Sequence, residues 1–349
     1  MRPFRNVLGW PELAGMGLLG AWAVWSLSSM LRSDWGLSPG LPYLLAPVAL
    51  IVGVGFGSWC RAHAPSMGFI VALGSVTIIL LLGVLLTGGP AKQPLEYANA
   101  NAALAVQVVA LCGLALATQP RSRHPAVSAV LALGVLTVVL NRSVAGTSLV
   151  LPLTLVIGLV VWLRPERRLW TAIAVATSAV AATVSAAVVV QAAEAPHFPG
   201  WADRAFDSAR ERLWQDAAAL WRESPFLGSG PGSFAKTSAL TADPDTMSAH
   251  SAVLQVGAET GWVGVGFMVL VALGGLVWAA RGHAPEAIIA VAAWTALLVH
   301  SQVDHLLDFG SVVVAAGIVI GWAGASRSPR LAASSEQFDV TQSESPFTR

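Results

Sequence analysis

Apolar residues gather in ten runs of membrane-spanning kind, at about 11–31, 41–59, 67–87, 100–118, 124–141, 144–163, 169–190, 262–280, 285–307 and 310–325. A helix needs roughly 20 apolar residues to bridge the ~30 Å hydrocarbon layer, and a barrel strand would show a period of two, which these runs lack. The pattern therefore predicts an all-α integral membrane protein of about ten transmembrane helices. Pro47 and Pro152 interrupt the second and sixth runs, where neighbouring helices can satisfy the freed backbone. The polar remainder falls mainly in one long loop, about 191–250. The expected organisation is a bundle of seven spans (1–190), a loop with an amphipathic helix and a re-entrant segment (191–261), three more spans (262–325) and a tail (326–349). That tail is rich in Ser, Gln and Glu with no apolar period, which predicts a disordered segment. No internal repeat is evident, which weighs against a transporter built from inverted halves.

Charge sets the orientation. Only 11% of the residues are charged, under half of the about 25% a soluble domain carries, which excludes an ordinary soluble enzyme, a disordered protein and a nucleic-acid binder. With the N-terminus inside, the loops on that side hold Arg2, Arg5, Arg61, Arg121, Arg123, Arg164, Arg167, Arg168, Arg281, Arg327 and Arg330. The short loops opposite hold only Arg32, Lys92 and Arg142. This bias predicts cytoplasmic termini and an extracytoplasmic long loop. The first apolar run lacks a small-residue cleavage site and reads as a retained span. Cys60 and Cys112 lie in or beside apolar runs and read as small buried hydrophobes.

Within the loop, Asp203–Glu223 reads as one helix. Phe206, Ala209, Leu213, Ala217 and Leu220 recur at spacings of three and four, with Trp214 and Trp221 beside that stripe. Such a helix suits the membrane–water interface, apolar face down and tryptophans at headgroup level. Ser224-Pro225 ends it, and Gly228-Ser229-Gly230-Pro231-Gly232 allows a sharp turn with exposed amides. Then come His250 and an apolar stretch, Ala252–Ala258, too short to span, which ends in Glu259-Thr260-Gly261. That stretch is expected to be re-entrant or cavity-lining. Taken alone, the loop reads as an amphipathic cap as readily as a functional element.

The order of its pieces decides between the two. Arg210 lies four residues before Trp214, Pro225 through Phe234 follow as Pro-Phe-Leu-Gly-Ser-Gly-Pro-Gly-Ser-Phe, and His250 and Glu259-Thr260-Gly261-Trp262-Val263-Gly264 come after. This set resembles the O-antigen ligase and polymerase superfamily, with its periplasmic helix, its proline- and glycine-rich loop, its His-Asn pair and its Glu-x-Gly-x-x-Gly segment. Asn141-Arg142-Ser143 is similar to the family's Ser-Arg-Gly, Asn99 and Asn101 to its entry to the fourth span, and His300-Ser301-Gln302-Val303-Asp304 to its late His-Ser-x-x-Asp. Ser251 stands where the family has Asn. The likeness covers about residues 90–320 and is most specific over 210–264.

The resemblance implies a glycosyltransferase that moves or polymerises a glycan from a polyprenyl diphosphate carrier onto a cell-surface acceptor (a glycan, a lipid or a protein). Arg142 and Arg210 are then expected to clamp the diphosphate, because a planar guanidinium pairs two oxygens and stays charged. His250 is expected to accept the acceptor's hydroxyl proton, in a direct displacement with inversion. His300 and Asp304, four apart near the outer end of the ninth span, either orient the site or hydrogen-bond to each other as packing groups. Glu259 either holds His250 or caps a helix, and Arg204 and Arg212 are alternatives to Arg210 on a solvated face. Asp243-Pro244-Asp245 has a metal-binding spacing but reads as a turn, so no metal and no cofactor are expected. The competing readings are a lipid-linked glycan flippase, which would need charges along a mid-membrane path, and a peptidoglycan-type polymerase, which would carry a catalytic Asp in the outer loop.

Overall fold

The computed structural model describes residues 10–33, 38–62, 67–90, 92–238, 240 and 246–325. Asp243-Pro244-Asp245 and the tail expected to be disordered lie outside them. All regular structure among the described residues is helical. The helices are α1 (Trp10–Arg32), α2 (Leu41–Ala62), α3 (Met67–Thr87), α4 (Ala98–Thr118), α5 (His124–Leu140), α6 (Val144–Leu163) and α7 (Arg168–Glu194). After them come α8 (Gly200–Ala205), α9 (Ser208–Glu223), α10 (Phe234–Thr237), α11 (Ala252–Ala280), α12 (Ala284–Gln302) and α13 (Gly310–Ala325). Nine are long and apolar enough to cross a membrane, and α13, with 16 residues, is a shorter tenth. The chain is an all-α, multi-pass membrane protein.

Close backbone packing compensates for the shortness of α13. Gly53 and Gly57 of α2 face Gly317 and Gly321 of α13. A Cβ at Gly57 would lie 2.2 Å from the Ile318 carbonyl oxygen, and one at Gly321 would lie 2.2 Å from that of Val54. Small residues at a four-residue spacing let two helices approach until dispersion holds them, where lipid offers no hydrophobic drive. α4 runs through the middle of the bundle, buried along nearly its whole length, with Gln107 donating to the Ala293 carbonyl at 3.3 Å. Away from the loop, Arg61 of α2 pairs with buried Glu286 of α12 at 3.1 Å.

The loop departs from expectation in two ways. The single helix expected over Asp203–Glu223 is two, because the Asp207 side chain accepts from the Arg210 amide at 2.9 Å and starts α9 afresh. Its tryptophans are buried in protein rather than set against lipid headgroups. Trp214 is 0% and Trp221 7% exposed, packed with Phe198, Phe234, Val253 and Leu254 in a core of their own. The apolar stripe of α9 thus covers α11 and the end of α7 rather than lipid, and the loop is a folded lid with a protein interior.

Candidate functional site

Helix α11 is broken at Gly261, whose backbone (φ 68°, ψ −169°) leaves the helical region. Breaking a helix orphans carbonyls before the break and amides after it, which must find partners when buried. The glycine-rich loop supplies them. Ser229 and Gly230 donate their amides to the carbonyls of Ala258 and Glu259, each at 2.9 Å, and Trp262 donates to the Pro225 carbonyl at 2.8 Å. So close an approach leaves no room for side chains, since a Cβ on Gly228 would lie 2.3 Å from the Glu259 carbonyl carbon. The segment before the break, Ala252–Ala258, is helical and buried except for Gln255. Glu259, 2% exposed, ties the arrangement together by accepting from the Tyr43 hydroxyl at 2.8 Å and the Phe234 amide at 3.4 Å.

The N-terminus of α11 fixes His250. Ser251 is the N-cap, its hydroxyl accepting from the Leu254 amide at 3.5 Å, so the capping role that could have explained His250 belongs to its neighbour. Ser caps a helix as well as Asn does, which accounts for the residue at this position. His250 itself has φ 47°, a left-handed conformation uncommon outside glycine, and is 6% exposed. Its Nδ1 lies 3.3 Å from Asp304 Oδ1.

Asp304 is the centre of the cluster. Helix α12 stops at Gln302, so His300 and Asp304 are not successive turns of one helix, as the spacing predicts, and Asp304 turns back across the helix end. Its carboxylate accepts from the Tyr97 hydroxyl at 2.9 and 3.1 Å, from Asn99 Nδ2 at 2.7 Å and from the His305 amide at 2.9 Å. His305 Nδ1 is 3.0 Å away and Arg210 Nη2 is 3.8 Å away. Burial pushes the carboxyl up, but the His250 and His305 imidazoles outweigh it and hold it well below the usual carboxylate range. Burial and the Asp304 charge together push the Tyr97 phenol above its ordinary value, so it stays a donor.

Arg210 reaches this cluster from the first turn of α9 with its guanidinium over the Phe206 ring, 5.7 Å from the centroid. Its Nε is buried without a hydrogen-bond partner. Arg142 is held near by: Asn141 Nδ2 donates to the Ala98 carbonyl at 2.6 Å and pins the α5–α6 turn beside the start of α4. The Arg142 side chain is exposed and joins no ion pair among the described residues. Arg212 and Arg204 are exposed. His300 is 2% exposed, with Nε2 unpartnered, and is not hydrogen-bonded to Asp304. Of the expected site residues, Arg210, His250 and Asp304 therefore meet, Arg142 stays at the rim, and Glu259 belongs to the glycine-loop knot.

Sequence reasoning missed Tyr97, His305 and Tyr43. The signal was composition: the chain has only two tyrosines, and each hydroxyl donates to a buried carboxylate at this end of the bundle. Asn101 shapes the approach to Tyr97, donating to the carbonyls of Lys92 and Gln93 at 3.0 and 2.9 Å.

Fold and site together define a multi-pass helical membrane protein with a buried His–Asp–Tyr–Arg cluster under a folded lid. Residues 127–269 match the family model described as O-antigen ligase, which supports an O-antigen ligase-like family. The match includes Arg142, Arg210 and His250, while Tyr97, Asn99 and Asp304 flank it on either side. No curated protein matches the chain.

Proposed function

We propose that this protein is a membrane glycan ligase or polymerase that transfers a glycan from a polyprenyl diphosphate carrier to an acceptor hydroxyl on the outer face of the cytoplasmic membrane. The observation that carries this reading is the meeting of His250, Asp304 and Arg210 with a buried guanidinium nitrogen left unpartnered. A buried donor without an acceptor calls for explanation, and a diphosphate oxygen would satisfy it. The arginine bias of the loops at the other end of the bundle supports an outward-facing site. An apolar cleft walled by Trp22, Ala46, Pro47, Leu50 and Leu307 adjoins the chamber that His305 lines, which suits a polyprenyl tail.

In the step we infer, the acceptor oxygen attacks the anomeric carbon while His250 Nε2 takes its proton. Asp304, ionised and against Nδ1, orients the ring and stabilises the imidazolium. The bond from the anomeric carbon to the diphosphate oxygen breaks, and the departing charge goes to Arg210, with Arg142 at the rim. Displacement is direct, so configuration inverts and no sugar–enzyme bond forms. The test is transfer by the purified, reconstituted protein supplied with a diphosphate-linked glycan. His250→Ala is expected to slow turnover by about 10²–10⁴-fold with donor binding kept, whereas Arg210→Ala weakens donor binding itself. Failure of the unaltered protein to consume any such donor overturns the reading.

A further inference from the structure

Nothing in the proposed transfer uses His305, yet it stands inside the cluster. Its Nδ1 is buried and lies 3.0 Å from Asp304 Oδ1. Its ring meets that of His250 edge to face, with centroids 4.6 Å apart. One ligand-capable atom from each of His250, Asp304 and His305 falls within a mutual span of 4.8 Å. From these contacts we infer that His250, Asp304 and His305 form a site for a borderline divalent cation of the zinc type, and that filling it switches transfer off.

The donor chemistry is right for such an ion, since two imidazoles and a carboxylate are the ligands zinc takes in three-residue sites with an open fourth position. Bond lengths of about 2.0–2.2 Å place tetrahedral ligand atoms about 3.3–3.5 Å apart. The His250–Asp304 separation of 3.3 Å already has that spacing, the 3.0 Å from His305 to Asp304 differs from it by a few tenths of an ångström, and the mutual span of 4.8 Å means that the two imidazoles draw together when the ion binds. The Tyr97 hydroxyl, 3.2 Å from His250 Nδ1, borders the fourth position. Arg210 opposes the ion from 3.8 Å on the other carboxylate oxygen. This repulsion makes the site one that fills when the cation is abundant, not a permanent structural centre.

Inhibition follows from the tautomer. A neutral imidazole bound to a metal through Nδ1 carries its hydrogen on Nε2. That nitrogen then has no lone pair for the acceptor's proton, and the base proposed above is disabled without being displaced. This consequence rests on the proposed function; the cation site itself does not.

The experiment uses the full chain in detergent, stripped with a chelator and titrated with Co²⁺, whose visible bands report tetrahedral nitrogen and oxygen ligation, with Zn²⁺ as competitor. One Co²⁺ per chain, displaced by Zn²⁺, is expected. His305→Ala and the milder His305→Gln should each weaken binding by about tenfold or more, and Arg210→Ala should tighten it. In parallel, Zn²⁺ should inhibit transfer reversibly, and the concentration needed should rise in both His305 variants. Absence of saturable Co²⁺ binding, or binding and inhibition indifferent to His305, overturns the inference. If Co²⁺ binds with the stated dependence while no glycan is transferred under any condition, the cation site stands and the proposed function falls.

Discussion

Two buried carboxylates lie at the same end of this bundle, each bonded to one of the chain's two tyrosines, and they are built for opposite purposes. Glu259 is closed: Tyr43 occupies one oxygen, loop amides occupy the other, and the glycine-rich loop is laced to the backbone on either side. Asp304 is open: its neighbours are two imidazoles, a phenol, a carboxamide and a guanidinium, all side chains that can also take an outside ligand. Burial does not separate them, at 2% and 1% exposed. What differs is that Glu259 is shared between one phenol and backbone amides, which only hold, whereas Asp304 meets mostly side chains, which can also exchange protons and bind anions. The first carboxylate is a fastening and the second a working part.

The sharpest way to break this contrast is to replace the two carboxyl groups in turn. Asp304→Asn should lower transfer by about 10²–10⁴-fold, because it unhitches the base from its orienting anion, while the folded fraction in a thermal unfolding assay stays high. Glu259→Ala should do the reverse. It strands the Tyr43 hydroxyl and the loop amides at about 1–3 kcal/mol each, so stability falls by at least about 3 kcal/mol and activity falls only with the folded fraction. Equal behaviour of the two variants would erase the distinction. Next in size is Gly261→Ala. The added Cβ would lie 2.3 Å from the Phe226 carbonyl, on a residue with φ 68°. Overpacking together with the left-handed backbone should cost about 3 kcal/mol, read as a drop in the melting temperature of the detergent-solubilised protein.

How much of this could be read from the chain depends on whether a feature is periodic. The ten apolar runs each became a helix, because length and hydropathy are local properties that a bilayer selects directly. The ordered residues Arg210, Pro225 through Phe234, His250 and Glu259 were legible because a resemblance carries order. The roles of Trp214 and Trp221 were not. An amphipathic stripe reports that a face is buried and not whether lipid or protein buries it, and here the lid supplies Phe198 and Phe234. Tyr97 was invisible for a different reason. Its partner Asp304 is 207 residues away, and no spacing rule reaches across nine helices. The facing pairs Gly53/Gly57 and Gly317/Gly321 were written in the sequence, but among thirty-three glycines these four stand in a pattern only the packing of α2 on α13 reveals.

The tyrosines give the smallest and most discriminating test, since each substitution removes a single oxygen. Tyr43→Phe leaves one oxygen of Glu259 unpaired inside the lid, so stability should fall by about 1–3 kcal/mol while turnover per folded molecule is unchanged. In Tyr97→Phe, Asp304 retains Asn99, the His305 amide and both imidazoles, so the loss of stability should be smaller, about 1 kcal/mol or less. Its cost should appear in turnover, because the Tyr97 hydroxyl touches both His250 Nδ1 and Asp304, at 3.2 and 2.9 Å, and fixes the angle between them. A base free to swing by that margin should lose about tenfold in rate with KM for the acceptor little altered, since orientation acts on the reacting step more than on binding. A Tyr97→Phe protein that is destabilised but fully active would make Asp304 a second fastening, and the working part would have to be sought elsewhere.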